Sequence, residues 1–449
     1  MIRMFQLLKN NKLNILILLT VVLTFFVFSY HPLDADEGVV INGAGKMLQG
    51  QRLYQDFFEY LAPGSFLFIF VILKFFGMTY YAVKIGAILL LLLGFYFLYQ
   101  LTKSLELTKK IYILFILWWL YLLSFTAALI NHNVFSTITV ILAFYWLWRF
   151  IYQQARRDLL LASSFSGLTI YFLQSKGLMI ILAFLVIMYF FLPREDKMKK
   201  ILLFLLPIIA LSILSILFFG FQQFTNLLLV SSDYLLMNKV SYIFWLMAIF
   251  ICCLIGFYSW WHEHNRSRNI ILMLVILQFF LLLSIFNRPD FNHLVINIWP
   301  LLLIFIYYSN NYLTNKSQQV NFLISFLIVA CILQGVNNFN IYHYQDRFKI
   351  IDNIVGSEQI FAHPFLPGLY FDLGKDNPYF TSVPETIQGN AYFLQNNYQT
   401  LIDQQPGFVI TNYELVRKFN YQKNIIDDYI AANYQVKTKV GSLEIWERK

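Results

Sequence analysis

The sequence predicts an all-α polytopic membrane bundle of about eleven transmembrane helices, followed by a small C-terminal extracytoplasmic α/β domain. Three observations predict this fold class. Of the 449 residues, 59% are hydrophobic and 13% are charged, about half the charged fraction of a soluble protein. Apolar runs of about 20 residues, the length that crosses a bilayer, recur along the first three-quarters of the chain. The last quarter is polar, with short strand-like stretches.

The predicted membrane spans are apolar runs of roughly bilayer-crossing length. They lie at residues 14–29, 80–100, 111–130, 134–153, 158–173, 178–192, 201–219, 241–261, 270–286, 294–309 and 320–337. Basic residues precede the first run, but no small-x-small cleavage site follows it, so we expect an uncleaved anchor. Residues 65–78 are apolar but short and contain Lys74, so we expect an interfacial or re-entrant helix there.

The basic residues orient this topology through the positive-inside rule. With a cytoplasmic N-terminus and eleven spans, the cytoplasmic loops hold sixteen Lys and Arg residues and the opposite loops hold six. We therefore expect residues 1–337 to form a transmembrane catalytic domain whose first outer loop covers about 30–79. Residues 338–449 then form the extracytoplasmic domain. The net charge of +9 arises from the membrane part, so we expect membrane lipid and no nucleic acid as a partner.

The tail reads as a mixture of strands and one helix. The predicted strands are Gln359–Ala362, Gly368–Phe371, Gly407–Thr411, Gln435–Lys439 and Leu443–Glu447. Residues 414–433, between the third and fourth of these, read as helical. A segment of about 110 residues is long enough to hold its own core.

The first outer loop concentrates the acidic residues of the membrane part. Residues 1–337 contain twelve Asp and Glu residues, and five of them lie here: Asp34, Asp36, Glu37, Asp56 and Glu59. Asp36 and Glu37 are predicted to begin a short helix, where a carboxylate could simply cap backbone N–H groups or could serve as a general base. For Asp56 and Glu59 a solvated or capping role is favoured, with Asp56 kept as a candidate substrate-binding residue.

Few cations lie on the outer side, and these are the candidate phosphate ligands. Arg288, Asp290 and His293 share a seven-residue loop, which could be a local ion pair or a site for a lipid-linked phosphate. Lys84, near the outer end of the second span, could extend to the headgroups or face a leaving phosphate. Lys176 lies in another outer loop and joins these candidates. The sequence indicates no metal site.

The acid-rich loop carries a family resemblance. The segments Asp34–Ala44, Gly50–Glu59, Pro63–Gly64 and Phe75–Gly77 resemble the first outer loop of GT-C membrane glycosyltransferases. The resemblance is to the bacterial branch of the protein O-mannosyltransferase and aminoarabinose transferase superfamily (glycosyltransferase family 39-like). The tail segment Gln359–Phe371 resembles the outer domain of such proteins.

The resemblance implies an inverting hexosyl- or pentosyltransferase of the bacterial plasma (inner) membrane. A sugar would move from a polyprenyl-phosphate donor to a glycan, lipid or protein acceptor on the outer face. Asp36 would act as base or orient the acceptor, supported by Glu37, while Lys84, Lys176, Lys239 or Arg288 would hold the leaving phosphate. Many relatives have a second acidic residue in the outer loop between spans three and four, but here that loop, residues 131–136, has no carboxylate. The sequence therefore does not favour a divalent metal shared by two acidic loops.

Two other classes of function stay open at this point. A flippase or transporter for a lipid-linked glycan would show internal repeats and charges inside its spans. An O-antigen-type polymerase or ligase tends to have one large late outer loop, whereas the large loop here comes first.

Overall fold

The computed structural model describes residues 35–59, 61–105, 130–221, 239–262, 265–286, 291–312, 342–364, 366–381, 391–414 and 421–449. Up to residue 312 the described elements are all helical: α1 Ala35–Leu48, α2 Pro63–Phe76, α3 Tyr80–Ser104, α4 His132–Gln153, α5 Arg156–Phe172, α6 Gln174–Phe191, α7 Lys197–Phe219, α8 Lys239–His262, α9 Asn265–Ser284, α10 Phe291–Asn297 and α11 Trp299–Tyr312. Helices and strands alternate after that: α12 Tyr342–Val355, β1 Ile360–His363, α13 Gly368–Asp372, α14 Ala391–Gln404, β2 Phe408–Thr411, α15 Ile425–Asn433, β3 Tyr434–Val440 and β4 Leu443–Arg448.

Five of the described helices are long and apolar enough to cross a membrane, and they make the chain an integral membrane protein. They are α3, α4, α6, α7 and the Tyr242–Trp261 part of α8. The predicted spans at 158–173 and 270–286 are also helical, as α5 and α9, although they are shorter or less apolar. The predicted spans at 14–29 and 320–337, and nearly all of 111–130, lie outside the described residues, so the count of eleven stays a prediction.

The predicted span at 294–309 is not one continuous helix. It is divided into α10 and α11, with a break at residue 298. Pro300 is the second residue of α11. Proline has no N–H to donate and its ring clashes with the carbonyl four residues earlier, so it is tolerated in a first helical turn but not in a helix interior. This break explains why an apolar run of suitable length does not form a single span.

Residue contacts divide the chain into two compact units. Of the described residues, one unit comprises those within Lys84–Leu217 and Tyr234–Asn338, and the other comprises those within Tyr30–Val83, Phe218–Asp233 and Phe339–Lys449. The first outer loop, which the sequence places with the membrane part, therefore packs with the tail. Each unit has its own candidate residues.

Within the first unit, α4 is the most enclosed of the candidate spans. Its most apolar stretch is 78% buried, against 17% for α7 and α8. Helix α4 packs against α5, α6 and α10, while α9 packs against α6, α8 and α11. At the end of α4, Arg149 Nε lies 3.2 Å from the buried carboxylate of Asp158. The start of α4 therefore presents its side chains to protein on several sides.

Within the second unit, the tail forms a four-stranded mixed sheet in the order β1-β2-β4-β3. Strands β1 and β2 are parallel, with Ile360 opposite Phe408, and the other pairs are antiparallel. Gly441, at φ +64°, makes the tight turn of the β3–β4 hairpin. Side chains from α12, α14 and α15 share one apolar core with the strands.

One predicted strand, Gly368–Phe371, is wrong, because these residues form the short helix α13. Pro367 precedes them at φ −64° and ψ −29°, which is helical backbone that the proline ring favours. Strand β1 lies at the edge of the sheet. On its open side, two tyrosine hydroxyls take the place of a neighbouring strand at Ala362. The Ala362 N–H donates to Tyr370 Oη at 2.8 Å, and Tyr379 Oη donates to the Ala362 carbonyl oxygen at 2.5 Å.

A buried carboxylate, Asp427, ties the start of α15 to the end of β1. It accepts hydrogen bonds from Tyr413 Oη at 2.6 Å, Tyr421 Oη at 2.7 Å and the Asn424 N–H at 2.7 Å. His363 Nε2 lies 3.2 Å from Asp427 Oδ1. Burial raises the pKa of Asp427, but the His363 hydrogen bond and charge, with those from Tyr413 and Asn424, lower it overall from 3.8 to about 2.

We expect this network to make the sheet acid-sensitive. Because the folded pKa of Asp427 lies below the unfolded value, its stabilisation is present above pH 4 and is lost as the pH falls from 3.8 toward 2. Asp427→Asn should lower local stability at pH 7 by about 1 to 2 kcal/mol, after allowance for partial solvent screening. Hydrogen exchange of residues 408–411 in the full-length protein measures this. Equal exchange in the variant and the natural protein at pH 7 would contradict the prediction.

Candidate functional site

In the second unit, helix α1 carries the acidic pair, and its start at Ala35 confirms the predicted helix. Asp36 and Glu37 lie in its first turn, where the exposed N–H groups and the helix dipole stabilise negative charge. Glu37 is completely buried, whereas Asp36 is partly exposed. Of the two, Asp36 is therefore the carboxylate that an incoming substrate could reach.

The tail adds another carboxylate to this region. Asp372 ends α13, and α13 packs directly against α1. The Tyr80 hydroxyl, at the start of α3, experiences the charges of both Glu37 and Asp372. Sequence reasoning missed Asp372 because its segment was read as a strand, and no local pattern links it to a loop 335 residues earlier. No group of three or more His, Cys, Asp or Glu side chains placed to hold a metal ion occurs within the described ranges.

A buried pair of opposite charges, Lys46 and Glu59, supports the other end of α1. Lys46 is 5% exposed and Glu59 is completely buried, so the expectation that Glu59 is solvated is wrong. Lys46 Nζ donates to the Tyr379 carbonyl oxygen and lies 5.2 Å from the centre of the Phe57 ring. Burial lowers the pKa of Lys46 to about 8, and the charge of Glu59 opposes that shift. The burial of Glu59 depends on what packs around it in the fold, which charge counting alone does not show.

Asp56, a candidate substrate-binding residue, lies in an exposed turn and pairs locally. Its carboxylate accepts from the Arg52 backbone N–H at 2.8 Å and from Arg52 Nε at 3.2 Å. These hydrogen bonds lower the pKa of Asp56 below its usual value. This geometry is the capping role that the sequence favoured, and the negative charge of Asp56 would repel a phosphate.

In the first unit, Lys176 is completely buried near the start of α6. Its Nζ donates to Thr137 Oγ1 at 2.9 Å and to the Asn133 carbonyl oxygen at 3.3 Å. Both acceptors are uncharged. Over the part of the chain that the structure describes, no carboxylate forms an ion pair with Lys176.

Two imidazoles meet at Asn133, beside Lys176. Asn133 Nδ2 lies 3.0 Å from His132 Nε2 and 3.4 Å from His293 Nε2. The Asn131 side chain caps α4 by accepting the Asn133 N–H at 2.7 Å. Asn133 Oδ1 is buried and has no hydrogen-bond partner among the described residues. The structure thus brings the candidates Lys176 and His293 into one polar cluster, to which Asn133 and His132 also belong.

The remaining candidate phosphate ligands are Lys84, Arg288 and His293. Lys84 is completely buried in protein, so the expectation that it extends to the lipid headgroups is wrong. Arg288 and Asp290 lie outside the described residues. His293, at the third position of α10, is partly buried.

Comparison with solved structures identifies the fold. The chain superposes on ArnT from Cupriavidus metallidurans bound to undecaprenyl phosphate with a TM-score of 0.60 at 10% identity, covering 97% of each chain. The apo state of the same protein gives 0.60 at 11% identity, covering 98% of each chain. The arabinofuranosyltransferase AftD from Mycobacteria gives 0.53 at 11% identity, covering 96% of this chain and 40% of AftD. The chain has the GT-C fold. No protein-family model and no curated protein sequence matches it.

The GT-C fold confirms the resemblance that the first outer loop indicated. Both neighbours are GT-C glycosyltransferases. At 10–11% identity the likeness establishes the architecture, while donor, acceptor and residue roles depend on the chemistry of this chain's own side chains.

Proposed function

We propose that this protein is an inverting glycosyltransferase that moves a sugar from a polyprenyl-phosphate donor to an acceptor on the outer face of the bacterial plasma membrane. The observation that carries the proposal is Lys176, a completely buried lysine whose Nζ donates to a neutral hydroxyl and a neutral carbonyl. A buried cation without a counter-ion is costly, and an anionic ligand offsets that cost. A lipid-linked phosphate is such a ligand.

The polar cluster around Lys176 supports a phosphate site. Neutral imidazoles can donate N–H groups, and a protonated imidazole adds positive charge. His293 is therefore proposed to contact the phosphate together with Lys176, and Lys84 and Arg288 are proposed as further cationic contacts. The bound undecaprenyl phosphate in the ArnT structure is the same class of ligand on the same fold.

Asp36 is proposed as the general base, with Glu37 in support. Its partial exposure at the first turn of α1 allows an acceptor hydroxyl to reach it. The hydroxyl oxygen would attack the anomeric carbon of the sugar as its proton passes to Asp36. The bond between that carbon and the phosphate oxygen would break, releasing a polyprenyl phosphate monoester.

The charge changes of the reaction explain why cations are assigned to the phosphate and one carboxylate to the acceptor. The phosphate begins as a diester and leaves as a monoester, so negative charge grows on its oxygens. Fixed cations in a site poor in water stabilise that developing charge. A single displacement inverts the anomeric carbon and needs one base, whereas a retaining route needs a second carboxylate as nucleophile.

The test is transfer by the purified full-length protein. Labelled undecaprenyl-phosphate sugars, hexosyl and pentosyl, are supplied with cell-envelope acceptors, and both the glycosylated product and released undecaprenyl phosphate are measured. We expect both products, formed in equal amounts, from at least one donor. Movement of an intact donor across sealed vesicles without release of undecaprenyl phosphate would instead identify a flippase and overturn the proposal.

A further inference from the structure

One face of α1 is fixed to the tail by contacts that repeat along the helix. Gly38, Asn42 and Lys46 are spaced four residues apart, so they lie on the same face of the helix, and Gln49 follows directly after its end. Asn42 Nδ2 donates to the Pro367 carbonyl oxygen, and Lys46 Nζ donates to the Tyr379 carbonyl oxygen. Gln49 Nε2 donates to the Asp376 carboxylate at 2.8 Å.

The contact at Gly38 is between two backbones. A Cβ added there would lie 2.2 Å from the Gly368 nitrogen and 2.5 Å from its Cα, and no side-chain rotation can relieve such a clash. Gly45, on the same helix, would place a Cβ 3.5 Å from the flexible end of Met78. Of these two glycines, only Gly38, one residue after Glu37, must lack a Cβ for α1 to approach the tail.

The tail segment 366–381 is itself held by the domain behind it. Tyr370 and Tyr379 bond to Ala362 of β1. Asn397 of α14 accepts the backbone N–H groups of Phe380 and Thr381, at 3.1 and 3.2 Å, and donates to the Thr381 carbonyl at 2.9 Å. A chain of direct contacts thus runs from the sheet, through this segment, to the helix that carries Asp36.

We propose that the tail segment 366–381 sets the position of Asp36 and Glu37, and that Gly38, Asn42 and Lys46 are positioning residues for the reaction. This inference rests on the proposed function. Asn42 and Lys46 donate to backbone carbonyls of the segment and Gly38 packs against its backbone, so the course of the segment's backbone is what positions α1 in this proposal. Reaction rates depend steeply on such placement, and a displacement of about 1 Å can lower a rate about 100-fold.

The test compares Gly38→Ala with Gly45→Ala in the full-length protein. We expect Gly38→Ala to lower kcat for sugar transfer about 100-fold with the KM for the donor changed less than about threefold, and Gly45→Ala to leave both near natural values. The melting temperatures of both variants are measured alongside, so that a loss of kcat without a loss of folded protein separates positioning from loss of stability. Natural kcat in Gly38→Ala would overturn the proposal.

If Gly38→Ala does not fold, a second variant and a second measurement still test the proposal. Asn42→Leu removes the bond to Pro367 without a backbone clash and should lower kcat about tenfold, again with little change in KM. Hydrogen exchange of residues 35–48 should rise in Asn42→Leu and stay unchanged in Gly45→Ala. Natural exchange and natural kcat in Asn42→Leu would overturn the positioning role. Absence of transfer by the natural protein would overturn the proposed function, and exchange would then decide the inference separately.

Discussion

Asp36→Asn is expected to lower kcat for sugar transfer by about 10²- to 10⁴-fold, the range that a positioned general base contributes. The amide keeps the size of the side chain but cannot take the acceptor proton. Binding of the donor should change little, because the donor's phosphate is assigned to cations rather than to this carboxylate. Rates of label transfer at saturating donor measure the effect.

Asp56→Asn is the matched control in the same loop. Asp56 is exposed and already paired with Arg52, so its substitution should leave kcat within about threefold of the natural value. Glu37→Gln should give an intermediate loss, since Glu37 is buried next to Asp36 in the chain and is proposed to support it. Full activity in Asp36→Asn, with the control also active, would remove Asp36 from the mechanism.

Lys176→Met is expected to lower kcat/KM for the donor about 10²- to 10³-fold, as does removal of one stabilising donor at a developing oxyanion. Methionine has nearly the same length but no charge. The same substitution should raise the melting temperature, because a buried charge without a counter-ion destabilises the folded protein. Activity and stability should therefore move in opposite directions.

Lys74→Met provides the control, since Lys74 is an exposed lysine on α2. It should change neither kcat/KM nor the melting temperature appreciably. Undecaprenyl phosphate should stabilise the natural protein against heat and should stabilise Lys176→Met much less. Equal stabilisation of both proteins would show that Lys176 does not bind the phosphate.

Composition and local pattern predicted the membrane class, the helix with Asp36 and Glu37 in its first turn and four of the strands. These features follow from hydropathy, capping and alternation within a few residues. Glu59 and Lys84 were misjudged because each was expected at a solvated or lipid-facing surface, and burial depends on what packs against a residue from elsewhere in the chain. Gly368–Phe371 was read as a strand, but Pro367 has helical backbone angles and begins a helix there. The edge of β1 is instead satisfied at Ala362 by the hydroxyls of Tyr370 and Tyr379.

The contacts that matter most for the proposed site join distant parts of the sequence. Asn42 and Pro367 are 325 residues apart, and Lys46 and Tyr379 are 333 apart. Neither pair has a local signature, because an asparagine or lysine that binds a backbone carbonyl gives no hint of which carbonyl it binds. The pairing of Lys176 with Thr137 across two helices was hidden for the same reason.

The hydroxyls of Tyr370 and Tyr379, which bond to Ala362 of β1, also affect whether β1 can pair with a strand of another molecule. An open sheet edge offers N–H and C=O groups that recruit strands from other molecules. Because the two hydroxyls already occupy the polar groups of Ala362, this border of the sheet is closed to intermolecular strand pairing there. At Ala362 two phenolic oxygens thus do what a covering helix does for other edge strands: they leave that residue no unpaired backbone group for a strand of a neighbouring protein.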